Sequence, residues 1–376
     1  GGFIMGKNEP ITTRHRFSEE DVRAGAHNLL VNAANIKQGT EVLILNQPGL
    51  VETAVADIIE QEAFALGATV YVMWAGSVKG PEELPGPAMA AMKDCEVTIF
   101  NHMLAGLLRL IPFDGTGLKL LNFCTTWDTL GSEFARVHYQ VMMEVMQYFG
   151  PKLAAESSYR ITCPLGSDYY GEMETPPATA KKKTDTGDGF SLRTFPISVS
   201  PPVMSMTANG KLAIRWLTPA GIHEFEEPGI TLPSPVLATI KEGRMVDFEG
   251  ADEAVSELKR FLEQTGRLTD KDGYIINSWH AGTNPRCFAH VGPEDNLDAW
   301  MYMIHGNPRI VHFHTVGTAP PGEMSIPVVD PTIQYGDKTF WDHGRLTILD
   351  DPEVREMVAR YHDPDDALFF DQNIGV

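Results

Sequence analysis

Histidines are concentrated in one part of this sequence. Half of its twelve histidines fall between Trp279 and His343. They are His280, His290, His305, His312, His314 and His343. Imidazole binds transition metals readily and exchanges protons near neutral pH. The stretch is therefore predicted to hold a metal site or a proton-transfer site.

Two of these histidines, His312 and His314, follow the apolar run Arg309–Val311 with one residue between them. On a β-strand, side chains two residues apart share one face and lie about 7 Å apart. The two imidazoles can therefore bind one metal ion or flank one substrate, and Asp342 is a candidate carboxylate ligand. Each histidine taken singly can instead be a hydrogen-bonded structural side chain. We expect that role for His290 and His305 and, beyond this stretch, for His362.

Two turns rich in glycine and proline accompany the histidines, Ala281–Pro285 and Val316–Gly322. Such turns present backbone amides and let a ligand approach the chain closely. The first turn is the more specific of the two. Its residues Thr283 and Asn284 are predicted to contact the substrate.

Three larger side chains in the same region are further candidates for substrate binding. Arg286 and Arg345 can each hold a substrate carboxylate through two hydrogen bonds, or can pair with one of the many acidic residues. Trp341 can stack on a planar ring, or can belong to the core.

The elements that position these residues begin with a repeating pattern in the N-terminal part. Four apolar runs alternate with helical patterns: Glu41–Leu45, Thr69–Met73, Glu96–Phe100 and Leu118–Asn122. Runs that are apolar on both faces and separated by helices are typical of a buried parallel sheet. We therefore predict an α/β fold whose N-terminal domain, residues 1–150, is a doubly wound parallel sheet.

Residues 151–376 have a different pattern, with many prolines, glycines and short β-type runs. One clear helix is predicted from Asp252 to Gln264. We predict a mixed α+β domain, mostly antiparallel, that carries the histidine-rich site. The polar segment Thr175–Gly189 is predicted to be a surface loop, either a lid or an ordinary insertion.

Polar residues also follow three strands of the predicted parallel sheet, at Asn46–Gln47, Asn101–His102 and Asn122–Thr126. Ligands of open parallel sheets bind beyond the carboxyl ends of the strands. His102 is therefore a candidate for moving protons. The other interpretation is that these residues cap the helices that follow.

Composition excludes several partners. The formal net charge is −20, with 50 acidic and 30 basic residues, which opposes binding to nucleic acid and to anionic membranes. The four cysteines are dispersed with no CxxC pair, which is typical of free thiols in a reducing compartment. We expect a cytoplasmic protein with a small-molecule partner.

The C-terminal half resembles the thermophilic metallo-aminopeptidases, known as aminopeptidase T or leucyl aminopeptidase, and their 2,5-dihydroxypyridine dioxygenase branch. The resemblance rests on Ile240–Val246, Gly282–Pro285, the strand that ends at Thr315–Gly317, and Trp341–Asp342. It implies a two-domain homodimer whose C-terminal domain binds metal. The peptidases have two zinc-type ions there, and the dioxygenase has one ferrous ion.

Two expected ligand positions depart from this family pattern. Ser278 stands where the family has a glutamate or histidine, and Phe340 stands where a His-x-Asp pair begins. These departures argue against a two-metal peptidase site. They favour a relocated site with His280, His314 and Asp342 as ligands of Fe(II), with another divalent metal or no metal as alternatives.

The predicted function is ring cleavage by a non-haem iron dioxygenase-like enzyme in aromatic catabolism. Its substrate would be a small hydroxylated N-heteroaromatic or phenolic compound. The alternatives are a hydrolase of an aromatic ring or amide bond, metal-free or with one divalent metal, and an inactive homologue that binds a small molecule. Beside the metal, the catalytic residues are expected to be His102, His312, His343 and Ser278.

Overall fold

The computed structural model describes residues 16–78, 83, 85–108, 115–174, 190–220, 228–315 and 323–376. The two segments Thr175–Gly189 and Val316–Gly322 lie outside the described residues. The chain forms two compact units. The first contains the described residues up to Met142 together with residues 190–197, and the second contains the other described residues.

The first unit is built on a five-stranded parallel sheet with the strand order β2-β1-β3-β4-β7. Its strands are β1 (Glu41–Asn46), β2 (Thr69–Trp74), β3 (Val97–Asn101), β4 (Gly117–Asn122) and β7 (Phe190–Phe195). Its helices are α1 (Glu19–His27), which continues as a π-helix (Asn28–Ala33), α2 (Thr53–Ala65), α3 (Gly86–Asp94), α4 (Leu104–Leu108), α5 (Trp127–Gly131) and α6 (Glu133–Arg136).

Strand β1 shows why this sheet is buried on both faces. Leu43 and Leu45 pack against Met92 of α3 and Leu104 of α4 on one face. Ile44 points the opposite way, because strand side chains alternate, and it is also fully buried. Both faces are therefore covered, as predicted for a doubly wound sheet.

The helix α7 (Tyr139–Ala154) spans the division between the two units at Met142. Strand β7 follows two strands of the second unit in sequence, yet it pairs with β4 in the first. One cut after Gly150 therefore does not separate the units. Residues 190–197, predicted to lie in the second domain, belong to the first because β7 satisfies the open edge of β4.

The second unit is a twelve-stranded antiparallel sheet whose main path runs β17-β16-β15-β5-β6-β9-β14-β13-β12-β8, with β10 paired to β9 and β11 paired to β10. These strands are β5 (Ser158–Thr162), β6 (Asp168–Glu172), β8 (Val203–Met204), β9 (Asn209–Ala220), β10 (Ile230–Lys241), β11 (Arg244–Glu249), β12 (Ile276–Ala281), β13 (Ile310–Thr315), β14 (Glu323–Val329), β15 (Thr332–Tyr335), β16 (Lys338–Asp342) and β17 (Arg345–Leu346).

Four further helices belong to the second unit: α8 (Asp252–Thr269), α9 (Leu297–Ile304), α10 (Pro352–Ala359) and α11 (Pro364–Ala367). A short 3-10 helix covers Thr347–Asp350. The described helices include none with the length and apolarity needed to cross a membrane. A parallel α/β unit and a mixed, mostly antiparallel unit together confirm the predicted fold class.

Candidate metal centre

The site is built on the antiparallel strands β12 and β13. Their register places His280 opposite His312 and Ser278 opposite His314. Residues that face each other across antiparallel strands project from the same side of the sheet. The three histidines therefore share one face, while the intervening Trp279 is fully buried on the other.

His280, His312 and His314 form a compact group. Each offers a ring nitrogen, and these nitrogens all lie within 4.8 Å of one another. The rings of His280 and His312 are almost parallel, at 11° with centroids 5.1 Å apart. The His314 ring is nearly perpendicular to both, with centroids 5.3 and 4.9 Å away. The group can accommodate one metal ion.

Hydrogen bonds around the group determine which nitrogens are available. The His280 Nδ1 atom lies 3.0 Å from the Ser200 carbonyl oxygen. Because a carbonyl only accepts, Nδ1 carries the proton and Nε2 keeps its lone pair for a metal. The His314 Nδ1 atom lies 3.5 Å from the Ser325 hydroxyl oxygen.

The third histidine provides the clearest indication that a ligand fits here. The His312 Nδ1 atom is buried and has no hydrogen-bond partner among the described residues. Leaving a buried polar atom unpaired costs roughly 1–3 kcal/mol. A metal ion within this set of three neutral nitrogen donors would compensate that cost, so the residues present fit a metal.

Burial keeps two of these imidazoles, His312 and His314, neutral, the form that binds metals. Burial, with smaller contributions from the neighbouring histidines, holds the pKa of His312 well below its usual value. Burial also lowers the pKa of His314 to about 4.

A fourth histidine, His305, lies beside the group, although the sequence predicted only a structural role for it. Its ring is 6.1 Å from that of His312 at 85°, and its Nδ1 atom bonds the Tyr302 carbonyl oxygen at 2.8 Å. Burial lowers the pKa of His305 too. Nothing in the sequence indicates this position, because His305 follows α9 and only the tertiary structure brings the end of that helix close to β13.

Asp342 does not join the group, contrary to the predicted ligand set of His280, His314 and Asp342. Trp341 precedes it on β16 and points into the core, so alternation turns Asp342 outward. Its side chain is 60% exposed, and its Oδ1 atom lies 2.6 Å from the Nδ1 atom of His343. The third member of the group is His312, which the sequence had assigned to catalysis.

His343 has a turn conformation rather than a place in the histidine group. Asp342 pairs with Arg345 across a two-residue hairpin, and both loop residues, His343 and Gly344, have positive φ values of 46° and 81°. These are features of a type I′ turn. The His343 side chain is 80% exposed.

Ser278 lies where its predicted role is possible, on the histidine face opposite His314, and it is buried. The turn after β12 holds the chain in place. The Thr283 amide donates to the Ser198 carbonyl oxygen at 2.8 Å, and the Asn284 side chain accepts from the Arg286 amide at 3.0 Å. Asn284 therefore stabilises the turn.

The other predicted substrate-binding residues have protein partners. Arg345 forms an ion pair with Asp350 at 2.6 Å, and the Arg286 guanidinium lies 5.1 Å from the centroid of the Phe369 ring. Trp341 is fully buried and donates to the Gly282 carbonyl oxygen at 2.8 Å. Trp341 is thus a core residue, the alternative considered for it.

His102 lies in the first unit, at the carboxyl end of β3. Its Nδ1 atom accepts from the Leu104 amide at 3.0 Å, and its Nε2 atom lies 3.0 Å from the Gly76 carbonyl oxygen. The Nδ1 contact holds the start of α4, and the Nε2 contact joins the ring to the segment that follows β2. The ring is fully buried, and burial lowers its pKa to about 4. These contacts correspond to the capping role that was the alternative for this residue.

Comparisons with known proteins find similar solved structures, two of which are described here. The structure of 2,5-dihydroxypyridine dioxygenase from Pseudomonas putida KT2440 has a TM-score of 0.60 at 15% identity, and the match covers 89% of this chain and 98% of that one. Wild-type AmpT from Thermus thermophilus has a TM-score of 0.47 at 11% identity, covering 87% and 99%. The sequence matches no protein-family model and no curated protein. The first likeness shows a shared fold, and at that level the resemblance expected from the sequence is confirmed.

Proposed function

We propose that this protein is an enzyme that opens the ring of a small hydroxylated N-heteroaromatic or phenolic compound and that it uses a single metal ion. One observation carries the proposal: His280, His312 and His314 present three ring nitrogens within 4.8 Å of one another. Three imidazoles so close together in a buried site suit one divalent transition metal.

The residues that would hold the ion are the three histidines, with His280 binding through Nε2. When bound, a ferrous ion would supply redox chemistry with oxygen, and a zinc ion would supply Lewis acidity toward water. The protein's own part is to exclude water and to keep the imidazoles in place. The Ser200 carbonyl orients His280 by accepting its Nδ1 proton.

Oxidative ring opening is favoured by the fold. One solved structure that this chain resembles, at a TM-score of 0.60, is that of a 2,5-dihydroxypyridine dioxygenase. Such a substrate is a small electron-rich ring.

A hydrolase is the second candidate, and one specific observation favours it. The group contains no carboxylate among the described residues, because its members are three histidines. The iron oxygenase set of two histidines and one carboxylate is therefore replaced by three neutral ligands, a set that zinc enzymes use to activate water. Ser278, on the same face, is a further polar group at this site.

Anaerobic reconstitution separates the two candidates. The protein would be loaded with Fe(II) or with Zn(II), its metal content measured, and each form given 2,5-dihydroxypyridine and related phenols. We expect one metal ion per chain and oxygen consumption by the iron form. Substrate loss in the zinc form without oxygen would instead establish the hydrolase. If the protein binds metal and substrate but neither metal form converts the substrate, the protein is an inactive homologue.

A further inference from the structure

A row of buried polar side chains crosses the sheet through one of the three histidines. Ser278 is paired with His314, His314 with Ser325, and Ser325 with Thr218. Directly paired residues project from the same face. The hydroxyls of Ser325 and Thr218 therefore lie on the histidine face, and each of the four residues is at most 6% exposed.

The far end of this row carries one unpaired hydroxyl. The Thr218 Oγ1 atom is buried and unpaired among the described residues. The Ser325 hydroxyl lies 3.5 Å from the His314 Nδ1 atom, which is at the limit of a hydrogen bond. A buried hydroxyl that makes no hydrogen bond costs roughly 1–3 kcal/mol. The Thr218 hydroxyl can therefore gain free energy from a bound polar group, and the Ser325 hydroxyl, which makes one long hydrogen bond, can make a second.

The spacing of the row matches a small ring. Neighbouring strands lie about 4.8 Å apart, so His314 and Thr218, two strands apart, are separated by about 10 Å. A six-membered ring that reaches the histidine group at one edge can present a substituent on its other edge to Thr218.

The chemistry of the row indicates what that substituent is. Ser278, Ser325 and Thr218 are uncharged, and one of the arginines predicted to bind a carboxylate, Arg345, is paired with Asp350. Hydroxyl side chains pair well with uncharged donors and acceptors, whereas a carboxylate buried without a cation is strongly disfavoured.

We infer that Thr218 and Ser325 are specificity residues, which hydrogen-bond an uncharged hydroxyl or carbonyl group on the ring of the substrate. The site thereby selects neutral hydroxylated rings over carboxylated ones. This inference rests on the proposed function, because it places the ring beside the metal-binding histidines.

The test uses the full chain loaded with Co(II), whose visible spectrum reports on ligands near the metal. Two probes would be titrated, 3-hydroxypyridine and 5-hydroxynicotinate, which differ by a carboxylate. The variants are Thr218→Val and Ser325→Ala. Thr98→Val is the matched control, because Thr98 has a buried, unpaired hydroxyl in the first unit.

We expect the Kd for 3-hydroxypyridine to rise about tenfold in Thr218→Val, which corresponds to about 1.4 kcal/mol. Thr98→Val should bind the probe as the wild type does, and the metal Kd should be the same in the wild type, Thr218→Val and Thr98→Val. Ser325→Ala removes a contact of His314, so its metal Kd is measured separately. The wild type should bind 5-hydroxynicotinate at least tenfold more weakly than 3-hydroxypyridine.

Two results would overturn the inference while leaving the metal site intact. One is a probe Kd unchanged in both Thr218→Val and Ser325→Ala, and the other is tighter binding of the carboxylated probe. Failure of the wild type to bind cobalt would instead contradict the proposed function. In that case, calorimetric titration of the metal-free protein with 3-hydroxypyridine tests the role of Thr218 and Ser325 by itself. Absence of binding in this titration would also overturn the inference.

Discussion

His280 and His312 lie directly opposite each other on neighbouring antiparallel strands, with their rings 5.1 Å apart and within 11° of parallel. This pairing joins a histidine of β12 to the His312/His314 pair of β13. A shift of register by one residue would turn a whole strand face over, and would place Trp279 where His280 now stands. The metal-binding group thus depends on one strand register.

The ligand set found in the structure contains His312, whereas the set predicted from the sequence contains Asp342 in its place. The two sets therefore make opposite predictions for variants of these two residues. His312→Ala should lower metal affinity by more than about 100-fold, since it removes one of three ligands, whereas outer contacts account for about 10- to 100-fold. Asp342→Ala should leave affinity unchanged, because its carboxylate faces solvent. Competition with a chelator measures both.

His362→Ala is the control for these two variants, since His362 bonds Asp366 at the surface of the second unit. Circular dichroism would verify that each variant is folded. Full metal stoichiometry in His312→Ala, together with loss in Asp342→Ala, would restore the set predicted from sequence.

His102 should make stability depend on pH. Its pKa is about 4 in the folded protein and about 6.5 when unfolded. The unfolded chain therefore takes up a proton first as the pH falls, and stability is lost between about pH 6.5 and pH 4. The full difference corresponds to about 3 kcal/mol.

The variant His102→Asn tests this dependence, since an asparagine oxygen can still accept from the Leu104 amide. Urea unfolding of the wild type and the variant at pH 7.5 and pH 4.5 gives the loss in free energy of unfolding on acidification for each protein, and the two losses are then compared. We expect the variant to lose less stability on acidification. Equal losses of stability in the two proteins would contradict the claim that His102 is buried as a neutral imidazole.

In the hairpin at His343, substitution of His343 should leave stability unchanged, whereas substitution of Gly344 should lower it. His343→Asn keeps a residue that accepts positive φ, so stability and metal content should not change. Gly344→Ala should cost about 1–2 kcal/mol, because φ is 81° and the new Cβ would lie 2.9 Å from Asp330 Oδ1. Thermal unfolding measures both. Loss of turnover in a folded His343→Asn protein would return His343 to the catalytic residues.

Gly282 should be indispensable to the strand end that carries His280. A Cβ there would lie 1.9 Å from the Asn307 carbonyl oxygen, so Gly282→Ala must displace the backbone, at a cost of at least about 3 kcal/mol. Gly76→Ala is the control, since a Cβ on this glycine meets nothing within 4 Å and its φ lies outside the positive region. It should change stability by less than about 0.5 kcal/mol. Equal stability of the two variants, measured by urea unfolding, would show that the backbone at Gly282 can yield.

Local patterns determined several features of this protein. The apolar runs of β1, β3 and β4 predicted a parallel sheet, because a strand covered on both faces has no polar side. The spacing of His312 and His314 placed both on one strand face, since strand side chains repeat every two residues. Both features follow from geometry within a few residues.

The rest depended on contacts between distant segments. The pairing of His280 with His312 follows from the register of two strands far apart in sequence, and packing of the opposite face decides that register. The same cause turned Asp342 outward once Trp341 was packed into the core, and brought β7 back to the first sheet. The amino-acid pattern thus shows which residues can bind a metal, and contacts between distant segments select the three that meet, because neither the register nor the burial of one face is encoded in local spacing.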